Sequence, residues 1–369
     1  MRVKQLFIIL LCVLLTGCWD QHLMKNAILV QVLTYDLSEK DEFLLGISIP
    51  IIEGGSGGSE LSVTSETFSA TGFTPRDSRK KIAREISGVL DTSKNKLILF
   101  GDRMATNDIY PTLDVIWRDS RNSLGATLAI VDGKALEILE IEPKHKPNVS
   151  EYFHDALTSA ETNTIIPPET IQTLASEILD PGEDVVLPYL KANSKKSAIV
   201  VGLALMDDRK YVGNLSPQDS TLLLLMNNKK GKFARFTKKV NEKEKYDYNN
   251  YLSFNVEKNK RDFKVEVNEG QVMVSLNLKM MINVDEYPKG NVPEEIDRLN
   301  KVLTEELTKD ANDLIATLQE KNCDVFGIGR RLMAFYPDTW EKLDQKEYFK
   351  DITFNTKVDV TIVSHGIVM

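Results

Sequence analysis

The side chains that most often carry catalysis or bind metal ions are scarce in this sequence. It contains four histidines, three cysteines and no HExxH zinc motif. His145 and His154 lie too far apart, and without suitable neighbours, to form a metal-binding pair. No motif links a serine to a histidine and an aspartate. With only four scattered histidines, few side chains could act as a general base. We therefore expect no catalytic residue, no metal site and no bound cofactor, and predict that the protein is not an enzyme.

The run Gly54–Ser59 is the most glycine-rich stretch of the chain. Glycine-rich loops can cradle phosphate groups, but this run lacks the P-loop lysine, and no GxGxxG motif opens a helix here. We interpret the run as a linker or a hairpin tip.

The first seventeen residues have the layout of a secretory signal. Arg2 and Lys4 form a short basic region, and the apolar run Leu6–Leu15 follows it. A spanning helix needs about 20 apolar residues, and the sequence has no uncharged stretch of that length. We therefore expect a protein that is exported but does not span the membrane.

Cys18 follows this segment in a context that is typical of lipid attachment. The sequence Leu15-Thr16-Gly17-Cys18 resembles the bacterial lipobox, in which the cysteine thiol receives a diacylglyceryl group and cleavage leaves that cysteine first. Two acyl chains anchor a protein stably, whereas one binds only marginally. We predict a signal peptide over residues 1–17, cleavage between Gly17 and Cys18, a covalent diacylglycerol on Cys18 with N-acylation left open, and a tether over residues 18–26.

The other cysteines predict no further chemistry. Cys12 lies in the signal, so only Cys323 belongs to the folded part. A lone cysteine forms neither an internal disulfide nor a metal cluster. We expect Cys323 to be a buried or half-buried hydrophobe, with a redox or intermolecular role as the alternative.

The mature chain is acidic. The full sequence has 46 basic and 54 acidic side chains, which give a net charge of −8. Loss of residues 1–17 removes two basic and no acidic side chains and lowers the net charge to −10. Nucleic acid and anionic headgroups would repel such a surface. We therefore expect no nucleic-acid partner, and membrane attachment through the lipid.

The hydrophobic patterns predict a multi-domain, mixed α/β fold, in which mainly antiparallel or mixed sheets pack against helices. A chain of this length is too long to fold around one ordinary hydrophobic core, so we expect more than one domain. We predict an N-terminal α/β region over 27–196 and a C-terminal α/β domain over 197–369. In the first region, strand patterns occur at Ile28–Tyr35, Phe43–Ile51, Leu61–Ala70, Leu97–Phe100 and Leu124–Val131, and helical patterns at Asp77–Leu90 and Ile109–Trp117.

Further patterns in the sequence predict the elements within these two regions. Residues 143–196 contain six prolines and two short helical patterns, so we predict a helical bridge there and two sub-domains within the first region. In the second region, strands are predicted at Ala198–Met206, at a long hairpin around Gly270 and at Val358–Ile362. A long helix is predicted from Pro293 to about Gln319, packed on the preceding sheet, with pairing in a coiled coil as the alternative.

The stretch Lys229–Lys239 is strongly basic within an acidic protein. We interpret it as a solvated loop or a strand edge. A contact for an acidic partner surface is the alternative.

Several motifs, in this order, carry a resemblance to a known family. They are Cys18-Trp19-Asp20 directly after the lipobox, Val201–Leu205, Lys210–Leu215 after a charged turn, and Asp324–Gly329 followed by Tyr336-Pro337 and Trp340. In this order the motifs resemble those of the C-subunit lipoproteins of spore germinant receptors, the Ger(x)C family. The likeness covers essentially the whole chain. Cys323 and the glycine-rich run at 54–59 depart from the family pattern.

The resemblance implies a location and partners. It implies a lipid-anchored protein on the outer face of the spore inner membrane, assembled with two integral-membrane subunits into a receptor for small nutrients such as amino acids or sugars. It also implies three α/β domains. We expect Gly327, Gly329, Pro337 and Trp340 to have folding roles rather than direct contacts with a ligand.

Two other function classes remain open. A membrane-anchored extracellular solute-binding lipoprotein would share the anchor, but it usually has two doubly wound lobes around a cleft, and the long hairpin at 261–284 argues against that. An anchored hydrolase would need the catalytic motifs that the sequence lacks.

Overall fold

The computed structural model describes residues 27–54, 62–119, 121–143, 146 and 148–365. These residues form an eight-stranded sheet, a four-stranded sheet and a two-stranded pair, with helices packed on both larger sheets. The predicted mixed fold is therefore confirmed. The predicted signal peptide, the tether, Gly17, Cys18, His145 and residues 55–59 of the glycine-rich run lie outside the described residues.

The eight-stranded sheet combines parallel and antiparallel strands. Its order is β10-β9-β8-β7-β6-β2-β3-β4, with β2, β6, β7 and β8 parallel to one another, while β1 pairs only with β5. The strands are β1 (Ala27–Leu29), β2 (Val32–Leu37), β3 (Phe43–Glu53), β4 (Ser62–Gly72), β5 (Val89–Asp91), β6 (Leu97–Gly101), β7 (Thr127–Asp132), β8 (Val186–Ser194), β9 (Ser197–Asp207) and β10 (Lys210–Asn214).

Helices cover both faces of this sheet because its central strands bury alternate residues on opposite sides. Leu97 and Leu99 of β6 face one core, and Ile98 and Phe100 face the other. Helices α4 and α5 pack on the first face, and α1, α2, α3 and α6 on the second. Their bounds are α1 (Pro75–Ile82), α2 (Asp102–Ala105), α3 (Tyr110–Arg118), α4 (Leu136–Leu139), α5 (Val149–Thr162) and α6 (Ile171–Ile178).

The helix predicted through Leu90 is wrong in its second half. Helix α1 ends at Ile82, and Val89 and Leu90 belong to β5, where they pair with Ala27 and Ile28 of β1. The pattern misleads because Leu90 is buried as a strand residue, while Val89 is exposed. In β5 the backbone N–H and C=O groups bond to β1, whereas in a longer helix they would bond within the helix.

The second sheet is built from later residues and has the order β11-β12-β13-β14. Strands β12 and β13 form the predicted long hairpin, and β14 pairs with β13 in parallel. The elements are α7 (Pro217–Met226), β11 (Arg235–Lys239), β12 (Tyr251–Asn268), β13 (Gln271–Glu286), α8 (Val292–Glu320), α9 (Ile328–Phe335), α10 (Pro337–Trp340) and β14 (Thr353–Ser364), with short 3₁₀ turns at Asp247–Asn250 and Tyr348–Asp351.

The predicted boundary after residue 196 falls in the turn between β8 and β9. These strands pair antiparallel from Val186↔Leu205 to Ser194↔Ser197, so a division there would separate neighbours in one sheet. We therefore assign β9 and β10 to the first sheet. The predicted helical bridge contains α5 and α6, but its last part is strand β8.

Helix α8 packs on the second sheet, as predicted, and also protects its edge. The edge strand β14 would leave alternate backbone N–H groups without partners. The N–H groups of Val358, Val360 and Ile362 donate to Oγ1 of Thr308 (3.0 Å), Oγ1 of Thr304 (3.0 Å) and Oδ1 of Asn300 (2.8 Å) respectively. These bonds fix the helix along the strand and close this edge to further pairing.

Helix α7 joins the two sheets. It begins at a Ser216 cap and Pro217, and every residue from Ser220 to Met226 is buried. It contacts β9 of the first sheet and β12, β13 and α8 of the second unit. A helix that is apolar on all sides must be surrounded by protein. One continuous core therefore extends from the first sheet through α7 to the second.

Replacing Leu223 with alanine should destabilise the whole protein, because this side chain is fully buried in α7. We expect the free energy of unfolding to fall by about 2 to 5 kcal/mol, measured by urea denaturation. Leu179→Ala is the matched control, since Leu179 is 57% exposed. Similar losses in both variants would contradict a central role for α7.

Candidate functional site: the junction between the two sheets

The motif Asp324–Gly329 lies between the end of α8 and the start of α9. It packs against the loop Asp180–Asp184, which leads from α6 into β8. The site is thus a junction between residues of the first half and residues of the second. Two carboxylates that bond across the junction, three glycines and one arginine define its geometry.

Asp324 is fully buried and organises the start of α9. Its Oδ2 accepts hydrogen bonds from the Gly329 N–H (2.9 Å) and the Tyr348 hydroxyl (2.7 Å), and its Oδ1 accepts one from the Phe326 N–H (3.1 Å). These donors include backbone N–H groups that a helix start leaves without partners. The Asp324 carboxylate therefore fixes the conformation of the motif.

Asp184 connects three segments. Its backbone N–H donates to the Asp324 carbonyl at 2.9 Å, and the Asp324 N–H donates back to Asp184 Oδ2 at 2.8 Å. The other carboxylate oxygen accepts from the Asp208 N–H in the β9–β10 turn at 3.1 Å. This one side chain therefore holds the loop, the motif and the turn in a fixed arrangement.

Glycines allow the two halves to approach closely. A Cβ on Gly329 would lie 2.8 Å from the Gly182 Cα, and one on Gly182 would overlap the Arg330 backbone. Gly327 has a left-handed backbone with φ of 65°. The folding roles expected for both glycines are thus confirmed: Gly327 provides a positive φ and Gly329 permits close packing.

Ion pairs surround this contact. Arg330 Nε lies 2.6 Å from Asp180 Oδ2, and its Nη1 lies 2.8 Å from Glu183 Oε2. Lys229 Nζ lies 2.6 Å from Glu169 Oε1, which joins the basic stretch to the first half of the chain. The rest of that stretch includes β11, an edge strand, as the strand-edge interpretation predicted.

Burial changes the protonation of the two carboxyl groups. It raises the pKa of Asp184 to about 7 and that of Asp324 to about 6, with the neighbouring acidic groups adding to the effect on Asp184. The hydrogen bonds that each carboxylate accepts oppose these shifts. Asp184 is therefore partly protonated near neutral pH.

An open cleft of about 420 Å³ lies beside the junction. Acidic residues outnumber basic ones in its lining, which includes Asp180, Glu183, Asp184, Asp207, Arg209 and Lys346. Within the described residues, no group of three or more His, Cys, Asp or Glu side chains is arranged to hold a metal ion. The hydrogen bonds and ion pairs of the junction join residues of the two halves to each other, so we interpret it as a structural contact.

Other predicted residues are placed as follows. Cys323 is a free, fully buried thiol, and burial raises its pKa, which confirms its interpretation as a hydrophobe. Pro337 begins α10, and Trp340 is buried against Tyr348 with ring centroids 5.0 Å apart. Sequence reasoning missed Asp184, and its only local signal is the preceding Pro181-Gly182 turn dipeptide.

Comparison with known proteins gives consistent matches along the chain. Residues 20–192 match the family described as spore germination protein N-terminal domain, and residues 201–366 match the family described as spore germination B3/GerAC like, C-terminal. The chain is 24% identical to spore germination protein GerQC of Bacillus cereus, over 99% of both chains. It is 21% identical to spore germination protein KC of Bacillus subtilis, over 96% of this chain and 93% of that one.

One solved structure shares the fold. The crystal structure of the GerBC protein superposes with a TM-score of 0.59 at 17% identity, covering 90% of this chain and 96% of that chain. At this identity the likeness shows the fold alone. It supports the arrangement of sheets and helices described above.

Asp184→Asn should flatten the pH dependence of folding stability. The folded-state pKa of about 7 exceeds the ordinary value of 3.8, so the folded protein keeps a proton that the unfolded chain releases. This contribution to stability is complete below the ordinary pKa and is lost as the pH rises through the folded one. Urea denaturation between about pH 5 and about pH 8 should show a smaller loss in the variant.

The control for this measurement is Asp208→Asn. Asp208 lines the same cleft as Asp184, but its side chain is 79% exposed. Its backbone N–H, which donates to Asp184, is unchanged by the substitution. If Asp184→Asn lost as much stability with rising pH as the wild type, Asp184 would not be the source of this dependence.

Proposed function

Because the chain belongs to the GerAC-like family of spore germination proteins, we propose that it is the lipid-anchored C subunit of a nutrient germinant receptor. The family predicted from the order of the sequence motifs is confirmed. In this proposal the subunit supports nutrient-triggered germination through contact with two integral-membrane subunits, and it catalyses no reaction.

The observation that carries this proposal is the extent of the family match. Two family models follow one another from residue 20 to residue 366 and leave only a short gap between them. The first begins two residues after Cys18, so the family match starts where the proposed mature chain starts. Curated relatives named as spore germination proteins align over nearly the same length.

The proposed anchor would keep the folded part close to the membrane. Residue 27, the first residue of β1, lies nine positions after Cys18. Nine residues span at most about 30 Å even when fully extended. No helix of the described residues is long and apolar enough to cross a membrane. We propose that the diacylglycerol on Cys18 provides the attachment, on the outer face of the spore inner membrane.

The structure favours a contact function over the solute-binding alternative. Binding proteins of that class close two lobes around a cleft by a hinge. Here α7 and the Asp184–Asp324 junction join the two sheets by a continuous core and reciprocal hydrogen bonds. Such a body is suited to present fixed surfaces to partners. A shared membrane would raise the effective concentration of the partners, so modest affinity would suffice.

Cys18→Ala should prevent lipidation and release any processed protein from the membrane. We expect the variant in the soluble fraction or as an uncleaved precursor, as shown by fractionation and mass spectrometry. Cys12→Ala is the matched control, because Cys12 lies in the predicted signal but outside the lipobox. A cleaved Cys18→Ala protein that stayed membrane-bound in cells lacking the other receptor subunits would contradict the lipid anchor.

A strain lacking only this protein should lose its germination response to at least one nutrient. The response is measured as the fall in absorbance of a spore suspension after the nutrient is added. A wild-type copy should restore it, and a Cys18→Ala copy should restore less, because the unanchored protein is diluted away from its partners. An unchanged response of the deletion strain to every nutrient would refute the receptor assignment.

A further inference from the structure

Helix α9 and strand β12 carry two arginines and two phenylalanines that the junction does not use. Arg331 and Phe335 lie four positions apart in α9, so they share one face of this helix. Phe335 is 73% exposed. Arg331 also lies over the ring of Phe263 in β12, with its Cζ 5.0 Å from the ring centroid. We call Arg261, Phe263, Arg331 and Phe335 the arginine–phenylalanine patch.

The two arginines of this patch lie over the same aromatic ring. The Cζ atom of Arg261 is 4.9 Å from the centroid of Phe263, which follows it two positions later in β12. Each contact is favourable, because a guanidinium group is attracted to the face of an aromatic ring. The two like charges nevertheless repel each other. Burial and the positive charge of Arg331 both lower the pKa of Arg261.

Neither arginine forms an ion pair with any residue that the structure describes. The Arg261 side chain donates to two neutral oxygens, the Met226 carbonyl and Asn227 Oδ1, each at 3.1 Å. The side chain of Arg331 makes no hydrogen bond within the described ranges, so its five N–H donors are available. Although the protein as a whole is acidic, this patch therefore holds two positive charges without a carboxylate.

An open cleft of about 380 Å³ borders the arginine–phenylalanine patch. Arg331 and Phe335 line it together with the ring of Phe326. Glu183 is the acidic residue of this lining, but it is bound to Arg330 at 2.8 Å and does not neutralise Arg331. A cavity of about 150 Å³ encloses a benzene molecule, so the larger cleft has room for the side chains of a partner.

We propose that the arginine–phenylalanine patch docks an acidic segment of a membrane-embedded partner protein, in which a carboxylate lies next to an apolar side chain. The carboxylate would accept hydrogen bonds from Arg331, whose planar guanidinium matches it in a bidentate geometry. The apolar side chain would enter the cleft and cover Phe335. This inference deepens the proposed function and rests on it for the identity of the partner.

The shape of the site favours a protein segment over a lipid surface. A bilayer is flat on this scale and meets protruding groups, whereas a protein loop can place side chains inside a cleft. Arginine and aromatic residues are also the types that are enriched in protein interfaces and in their hot spots. A carboxylate bound at Arg331 would offset the repulsion between Arg261 and Arg331, so charge and apolar contact would favour the same occupant.

The first test uses the full-length lipoprotein in spore membranes. Arg331→Lys keeps the positive charge and supplies an amine, which a carbodiimide joins directly to a carboxylate in contact with it. We expect mass spectrometry to identify a link from position 331 to an aspartate or glutamate of an integral-membrane protein, beside an apolar residue. Arg84→Lys, at an exposed position in the first half of the chain, is the matched control and should give no link to that protein.

The second test separates docking from a folding role. Arg331→Glu removes the repulsion with Arg261 and supplies a carboxylate to it, so the variant should unfold at no lower urea concentration than the wild type. Recovery of the same membrane protein with the purified lipoprotein should nevertheless fall at least about fivefold. Phe335→Ala should lower this recovery about threefold. Arg84→Glu should leave it unchanged.

Several outcomes would overturn the proposal. They are the absence of any link at position 331, a link to lipid, a link to a carboxylate of this chain or of a second copy of it, and full recovery of the membrane protein with Arg331→Glu. Lower recovery accompanied by a lower urea midpoint would indicate a folding role and would also contradict docking. If the wild type recovers its partner and only the tests at position 331 fail, the receptor function stands without this docking surface. If the wild type recovers no membrane-embedded partner, both proposals fail.

Discussion

The burial of helix α7 is the interaction on which the rest of the structure depends. Seven consecutive residues of this helix, Ser220 to Met226, are shielded from solvent. Neither sheet alone could surround such a helix, so both pack against it, and the core on that face of the first sheet continues into the second sheet. The carbonyls at the end of α7 are also used, since Asn259 donates to Leu225 (3.2 Å) and Arg261 to Met226 (3.1 Å).

The polar junction complements this apolar packing. Apolar contacts hold the two units together but specify their relative position weakly, whereas hydrogen bonds require defined distances and angles. The reciprocal bonds of Asp184 and Asp324 supply that precision, and Gly182 and Gly329 permit the backbones to meet. The cost is two carboxyl groups, Asp324 fully buried and Asp184 half-buried, whose pKa values are raised, so we expect the stability of the junction to depend on pH.

The proposed function depends on the two units being joined in one body. Contact with membrane-embedded partners needs fixed surfaces held near the membrane, and the joined core with a short anchored segment would provide them.

The sequence by itself determined the elements with long, regular patterns. The β12–β13 hairpin, helix α8 and most strands of the first sheet, though not β8, follow from alternation, apolar runs or helical spacing, which are local properties. The folding roles of Gly327 and Trp340 were also predicted, since their local requirements are steric. Only the tertiary structure decided which segments became neighbours: β9 joined the first sheet, Val89 and Leu90 paired with β1, and Asp184 met Asp324, 140 positions away. Such pairings depend on contacts between distant segments, and no local pattern records them.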